Sequence, residues 1–141
     1  MTINDSTIYV DIFGEIRTIL VAESVQVTNS TTGATKTASV KASFSDKDLP
    51  TPLVIVNGSE KDMAQFKFGG ARGKELINVT VDCYYKTTLG VAQMASQVED
   101  AMLNASWSGM DIVGVNSTDG FLEVNSTNYH IKSITFTFNR E

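Results

Sequence analysis

Between Tyr85 and Thr88 the hydrophobic pattern of this chain changes its period from two to about 3.6. In ELINVTVDCYYK, residues 75–86, Ile77, Val79, Val81, Cys83 and Tyr85 fall on one side, and Asn78, Thr80, Asp82 and Lys86 on the other. Strict alternation of this kind predicts a strand with one covered face. In TTLGVAQMASQVEDAMLNA, which follows at once, Val91, Met94/Ala95, Val98 and Ala101/Met102 form a helical stripe, with Thr87 or Thr88 placed to cap it. A strand that runs straight into a helix of matching apolar stripe confines the chain to folds that pack helix on sheet.

The flanking segments agree. Ile8, Ile12, Ile16 and Ile19/Leu20 in STIYVDIFGEIRTILVAE keep one helix face, with Asp5 or Ser6 as the expected cap and Gly14 as a weak point. Short strands are expected at SVQVTN and at TASVKASF, where Ala38, Val40, Ala42 and Phe44 alternate, and at LVIV, apolar on both faces. Both prolines lie in SDKDLPTP, between strands. The last third predicts three strands: MDIVGVN, FLEVN after an Asp119-Gly120 hairpin turn, and NYHIKSITFTFN. Strands in runs rather than alternating with helices predict an α+β fold, two amphipathic helices packed on a largely antiparallel or mixed sheet. No repeat or linker divides residues 1–141, so one domain is expected.

The opening strand is separated from LVIV by GSEKDMAQFKFGGARGKE, whose glycines and Gly-Lys pair invite a phosphate-loop reading. That reading fails on spacing: Phe68 stands where the first glycine is needed, Glu75 replaces the magnesium-binding hydroxyl, and a strand follows in place of a helix. The glycines at 69, 70 and 73 also miss the dinucleotide fingerprint. What remains is an arm over 59–75 that carries Phe66, Lys67, Phe68, Arg72 and Lys74, residue types that protein interfaces favour.

Other chemistry is thinly represented. Cys83 is the one cysteine, which excludes an internal disulfide and a cysteine-based zinc site, and its place in the strand reads as a buried small hydrophobe. His130 is the one histidine and has no nucleophile motif to serve. Asp46 and Asp48 lack the ligands and glycine of a calcium loop. Glu99 and Asp100, adjacent on a helix, diverge by about 100° and cannot pair as acid and base. The expectation is therefore no enzyme, no cofactor and no metal. The net charge of −5, from 16 acidic and 11 basic residues, disfavours phosphate-gripping nucleic-acid binding. No run of about 18 apolar residues is present and the N-terminus has no signal-like pattern, so synthesis in the cytoplasm and no membrane partner are expected. Seven of nine asparagines begin N-x-[ST], which local turn preference or glycosylation would each account for.

Taken together, STIYVDIFGEIRTILVAE, INVTVDCYYKTTLGVAQMASQVEDAML and the closing YHIKSITFTFN resemble, in order and spacing, the tail terminator (tail completion, head-tail joining) proteins of long-tailed viruses of bacteria and archaea. The resemblance implies a virion structural protein assembled in the host cytoplasm. Its subunits would form a ring, usually a hexamer, at the head-proximal end of the tail tube. Its implied partners are further copies of itself, the tail tube protein and a neck or head-connector protein, with viral DNA passing through the channel without specific binding. An acidic lumen suits that passage, and the 59–75 arm suits a grip between neighbours. A neck, stopper or tube subunit of the same apparatus, and a surface glycoprotein module, are the alternatives.

Overall fold

The computed structural model describes residues 5–29, 31–42, 51–63, 75–107 and 109–140. A 3₁₀ turn at Asp5–Thr7 leads into α1 (Ile8–Glu23). Five strands follow: β1 (Gln26–Thr28), β2 (Thr35–Thr37), β3 (Ser39–Lys41), β4 (Leu53–Met63) and β5 (Glu75–Tyr85). Then come α2 (Thr88–Asn104), β6 (Met110–Val124) and β7 (Thr127–Arg140). The fold is α+β: the main sheet has strand order β3-β4-β5-β7-β6, and β1-β2 form a separate small hairpin. The main sheet is mixed because β3 runs parallel to β4, while every other pair is antiparallel.

The alternation in β5 works as read. Ile77, Val79, Val81 and Cys83 are buried against Ile8, Ile12, Ile16 and Leu20 of α1 and Val91, Met94, Val98 and Met102 of α2. Both helices therefore lie on one side of the sheet, α1 over β3 and β4, α2 over β5 and β7. Ile134, Phe136 and Phe138 of β7 complete this core, and Trp107 closes its end, edge-on to Phe138 at 4.8 Å with Nε1 donating to the Met102 carbonyl. The opposite side holds a smaller cluster of Leu53, Ile55, Tyr84 and Tyr129. That cluster is why LVIV is apolar on both faces.

Several expectations change. The N-cap of α1 is Thr7, whose side chain makes no cap bond and donates instead to Asp11 Oδ2 at 2.8 Å; Asp5 and Ser6 belong to the 3₁₀ turn. Thr87 does cap α2, its Oγ1 accepting from Gly90 N–H. The alternating stretch around Val40 is split between β2 and β3, because the Ala38 N–H donates to the Val25 carbonyl and interrupts both ladders. β1 gains its second partner from a helix. The Gln97 side chain of α2 accepts from Gln26 N–H and donates to Gln26 O, and Gln93 Oε1 accepts from Thr28 N–H.

The closing strands are two, not three. Asp119 and Gly120 lie inside β6, opposite Lys132 and Ile131 of β7. The hairpin turn is Asn125-Ser126, with φ of 50° and 64°, between the paired Val124 and Thr127. Two consecutive left-handed residues give the twist that a two-residue hairpin requires, and Asn tolerates that region better than most residues. A bulge at Val113 shifts the register of β6 between Ile112 and Gly114.

These turns are separable by mutation. Ser126→Gly removes the left-handed penalty of an L-residue and is expected to stabilise the fold by about 0.5–1 kcal/mol. At Gly120 an added Cβ would meet only the Ile131 side chain at 3.9 Å. Gly120→Ala is therefore expected to change stability by less than about 0.5 kcal/mol. Urea denaturation of both variants checks the pair; a large loss in Gly120→Ala would return the turn to 119–120.

Candidate interaction surfaces

The residues expected to form an interface arm, Phe66, Lys67, Phe68, Arg72 and Lys74, lie outside the described residues. Their attachment is described. β4 and β5 pair as an antiparallel hairpin out to Met63 opposite Glu75, so residues 59–63 and 75, expected in the arm, belong to strands. The segment 64–74 joins two paired strand ends. At its base Glu75 is fully buried and ion-paired to Arg140 Nη1 at 3.5 Å, its register partner on β7. Asp46 and Asp48 also lie outside the described residues.

A second surface, not foreseen from the sequence, lies beside α2. Helix-side positions on β6 are Met110 and Ile112 before the bulge, then Val115, Ser117, Asp119 and Phe121 after it, opposite Phe136, Ile134, Lys132 and His130 of β7. Neither helix covers these later positions. Val115 is 40% exposed and Phe121 66%. Leu103 of α2 is exposed too, and so is Val113 at the bulge.

A groove runs between the β6 side of α2 and the face of β6, with a cavity at each end. One, of about 360 Å³, is lined by Thr88, Val91 and Ala92 of α2 together with Asp119, Phe121, His130 and Lys132. His130 stacks edge-on against Phe121 at 4.5 Å, its Nδ1 is 3.5 Å from Thr88 Oγ1, and Lys132 Nζ pairs with Asp119 at 3.3 Å. The other, of about 430 Å³, is lined by Leu103, Trp107, Met110, Asp111 and Ile112. Glu99 lies on the same helix row as Thr88 and Ala92, at the i+11 and i+7 positions that follow them. A third cavity, of about 380 Å³, lies at the start of α2 between Tyr85, Thr87 and Gln93 and the β1 residues Val27 and Thr28.

The sequence did carry a signal for the groove. From Thr88 to Val124 there are five acidic residues, Glu99, Asp100, Asp111, Asp119 and Glu123, and no Lys or Arg. Glu99, Asp119 and Glu123 lie on the groove side and Asp111 lines the cavity beside Trp107, while Asp100 turns about 100° away from Glu99; with the exposed apolar side chains this is a surface suited to a cationic, apolar partner.

The opposite face of the sheet is different in kind. Thr137 Oγ1 donates to Asn78 Oδ1 at 2.7 Å, and Thr80 and Thr135 hydroxyls meet at 3.1 Å. Asp82 is buried and accepts from Asn57 Nδ2 at 3.0 Å. Because Asn78 is half-buried in a central strand and engaged by Thr137, its N-x-T sequon cannot hold a glycan without breaking the sheet. Asn29, Asn104, Asn116 and Asn125 are exposed.

Cys83 is fully buried in the main core, as its alternation implied. Burial, with the Asp82 carboxylate beside it, pushes its thiol pKa up to about 12. The same two causes raise Tyr84. The folded chain thus keeps the Cys83 proton to higher pH than the unfolded chain, which loses it near 9.0. Stability is expected to fall as pH rises through the window from about 9 to about 12, the unfolded state binding fewer protons there. Cys83→Ala is expected to flatten that part of the pH–stability curve, and in the native protein the thiol should resist alkylation at pH 8 until denaturant is added. Rapid native labelling would show that the site opens.

Among the described residues no group of three or more His, Cys, Asp or Glu side chains is arranged to hold a metal ion, and no described helix is long and apolar enough to cross a membrane. Comparison with known protein families finds no matching family model, and comparison with curated proteins finds no match.

Proposed function

We propose that the protein is a structural subunit of a viral tail, closing into a ring at the head-proximal end of the tail tube. There it ends tail polymerisation and joins the tail to the neck or connector, and DNA passes through the ring. The observation that carries this reading is the inequality of the two ends of the main sheet. One end is β6, a 15-residue edge strand with Val113, Val115 and Phe121 exposed beside it; the other is the three-residue β3 beneath α1. Unlike ends associate head to tail, and head-to-tail contacts close into rings when the rotation permits. Exposed apolar side chains beside an unpaired edge favour such association over exposure to water.

Two further features support the reading. The face away from the helices presents hydrogen-bonded Asn and Thr side chains, and its described positions on β5, β6 and β7 include no Lys or Arg. Without cations these central strands do not gather phosphates, Lys41 of β3 being at the margin of that face, so DNA would slide past them. The sequence between the paired residues Met63 and Glu75 carries Phe66, Lys67, Phe68, Arg72 and Lys74, a composition that supports the reading of an interface arm.

Sedimentation velocity and electron microscopy of the purified chain test the proposal. Closed rings of one size are expected, and their addition to growing tail tubes should stop elongation. Open-ended stacks would identify a tube subunit instead, and a monomer at concentrations on the order of 1 mM would sink the ring reading altogether.

A further inference from the structure

The groove between α2 and β6 is open in the isolated chain, with Phe121, Leu103 and Val115 exposed along it. Resting on the ring reading, we propose that this groove is the receptor for segment 64–74 of the next copy.

Charge supports the match first. The segment AQFKFGGARGK carries three cations, Lys67, Arg72 and Lys74, and no acid. On the groove side α2 and β6 bring Glu99, Asp119 and Glu123, with Asp111 lining the cavity beside Trp107, and no Lys or Arg; Lys132 on the floor and Asp119 neutralise each other, so the groove keeps a net negative charge. Other parts of a second copy fit less well. α1 brings Asp11, Glu15 and Glu23 against Arg17 alone, and a second β6 would place acid against acid.

Shape and size agree. Two cavities, of about 360 and 430 Å³, flank the groove, and each has an aromatic side chain in its wall, Phe121 in one and Trp107 in the other. Phe66 and Phe68 are the aromatic anchors available to fill such cavities, and buried aromatic anchors dominate interface energetics. The groove follows α2, 17 residues and so roughly 25 Å long. Any 11-residue chain tethered at both ends, as at Met63 and Glu75, can reach at most about 17 Å beyond its tethers, a reach comparable to most of that length. Small residues, Ala92 and Ser96, on the exposed side of α2 leave room for its backbone.

Cross-linking between two full-length variants tests this directly, since buried Cys83 does not compete. Phe121→Cys in one chain and Lys67→Cys in another are mixed and oxidised. A disulfide-linked dimer is expected in the mixture at several times the yield given by Lys67→Cys mixed with a Val10→Cys control. A double variant in one chain that closes on itself would overturn the exchange between copies. Assembly is measured in parallel by sedimentation. Glu99→Lys is expected to weaken assembly about tenfold, whereas Glu23→Lys on α1, the same change in net charge, leaves it unaltered. If the wild-type chain forms rings but the mixture cross-links no better than the control, or both charge reversals act alike, the groove is not the receptor and the ring reading stands. If the wild-type chain stays monomeric, the ring reading itself falls.

Discussion

Two helices are too narrow to roof five strands. Strands lie about 4.8 Å apart and a helix is about 10 Å across, so α1 and α2 side by side cover roughly four strands. The described layout obeys that arithmetic: α1 lies over β3 and β4, α2 over β5 and β7, and β6 is left at the open margin. Everything apolar on the helix side of β6 beyond Ile112 must then face water or another molecule. Half of the exposed large hydrophobic side chains among the described residues lie on this margin: Leu103, Val113, Val115 and Phe121. Of the others, Tyr9, Val10 and Val21 are on α1 at the other end, and Leu89 lies on the β1 side of α2. A fold with unlike sticky ends is suited to head-to-tail assembly, the geometry on which the ring proposal rests.

The register that holds this margin in place is tied down at the ends of the central strands. At one end buried Glu75 is ion-paired to its β7 partner Arg140. A buried carboxylate is costly without a counter-charge, so a slip of β5 against β7 would strand it. At the other end Tyr84 and Tyr129 pack with Leu53 and Ile55 on the face away from the helices. Between them the Asn78–Thr137 and Thr80–Thr135 pairs satisfy one another across the sheet, leaving an uncharged polar face.

Much of the fold was legible because its strongest signals are local. The alternation from Ile77 to Tyr85 and the stripe from Val91 to Met102 each depend on neighbours within one turn or one pleat, and both elements formed where they were read. Cys83 went to the core for the same reason. The misreadings came where a distant partner decided. Asp119-Gly120 has strong local turn chemistry, yet fourteen ladder positions with β7 hold it extended, and the turn falls on Asn125-Ser126. The stretch around Val40 became two strands because Ala38 bonds to Val25. No local pattern announces that Gln93 and Gln97 will satisfy the backbone of β1.

By itself the sequence determined the α+β class, the two helices, the central strand and the absence of a phosphate-loop spacing, since each follows from residue periodicity or motif geometry. Its charge pattern also separated a cationic 64–74 from an acidic 88–124. Only the tertiary structure decided what the margin of the sheet displays. Without the bulge at Val113, alternation would turn Gly114, Asn116, Thr118 and Gly120 toward the helices. With it, Val115, Ser117, Asp119 and Phe121 take that side. A one-residue shift exchanges the two faces of a strand, and here that shift builds an apolar, acidic groove instead of a small polar one.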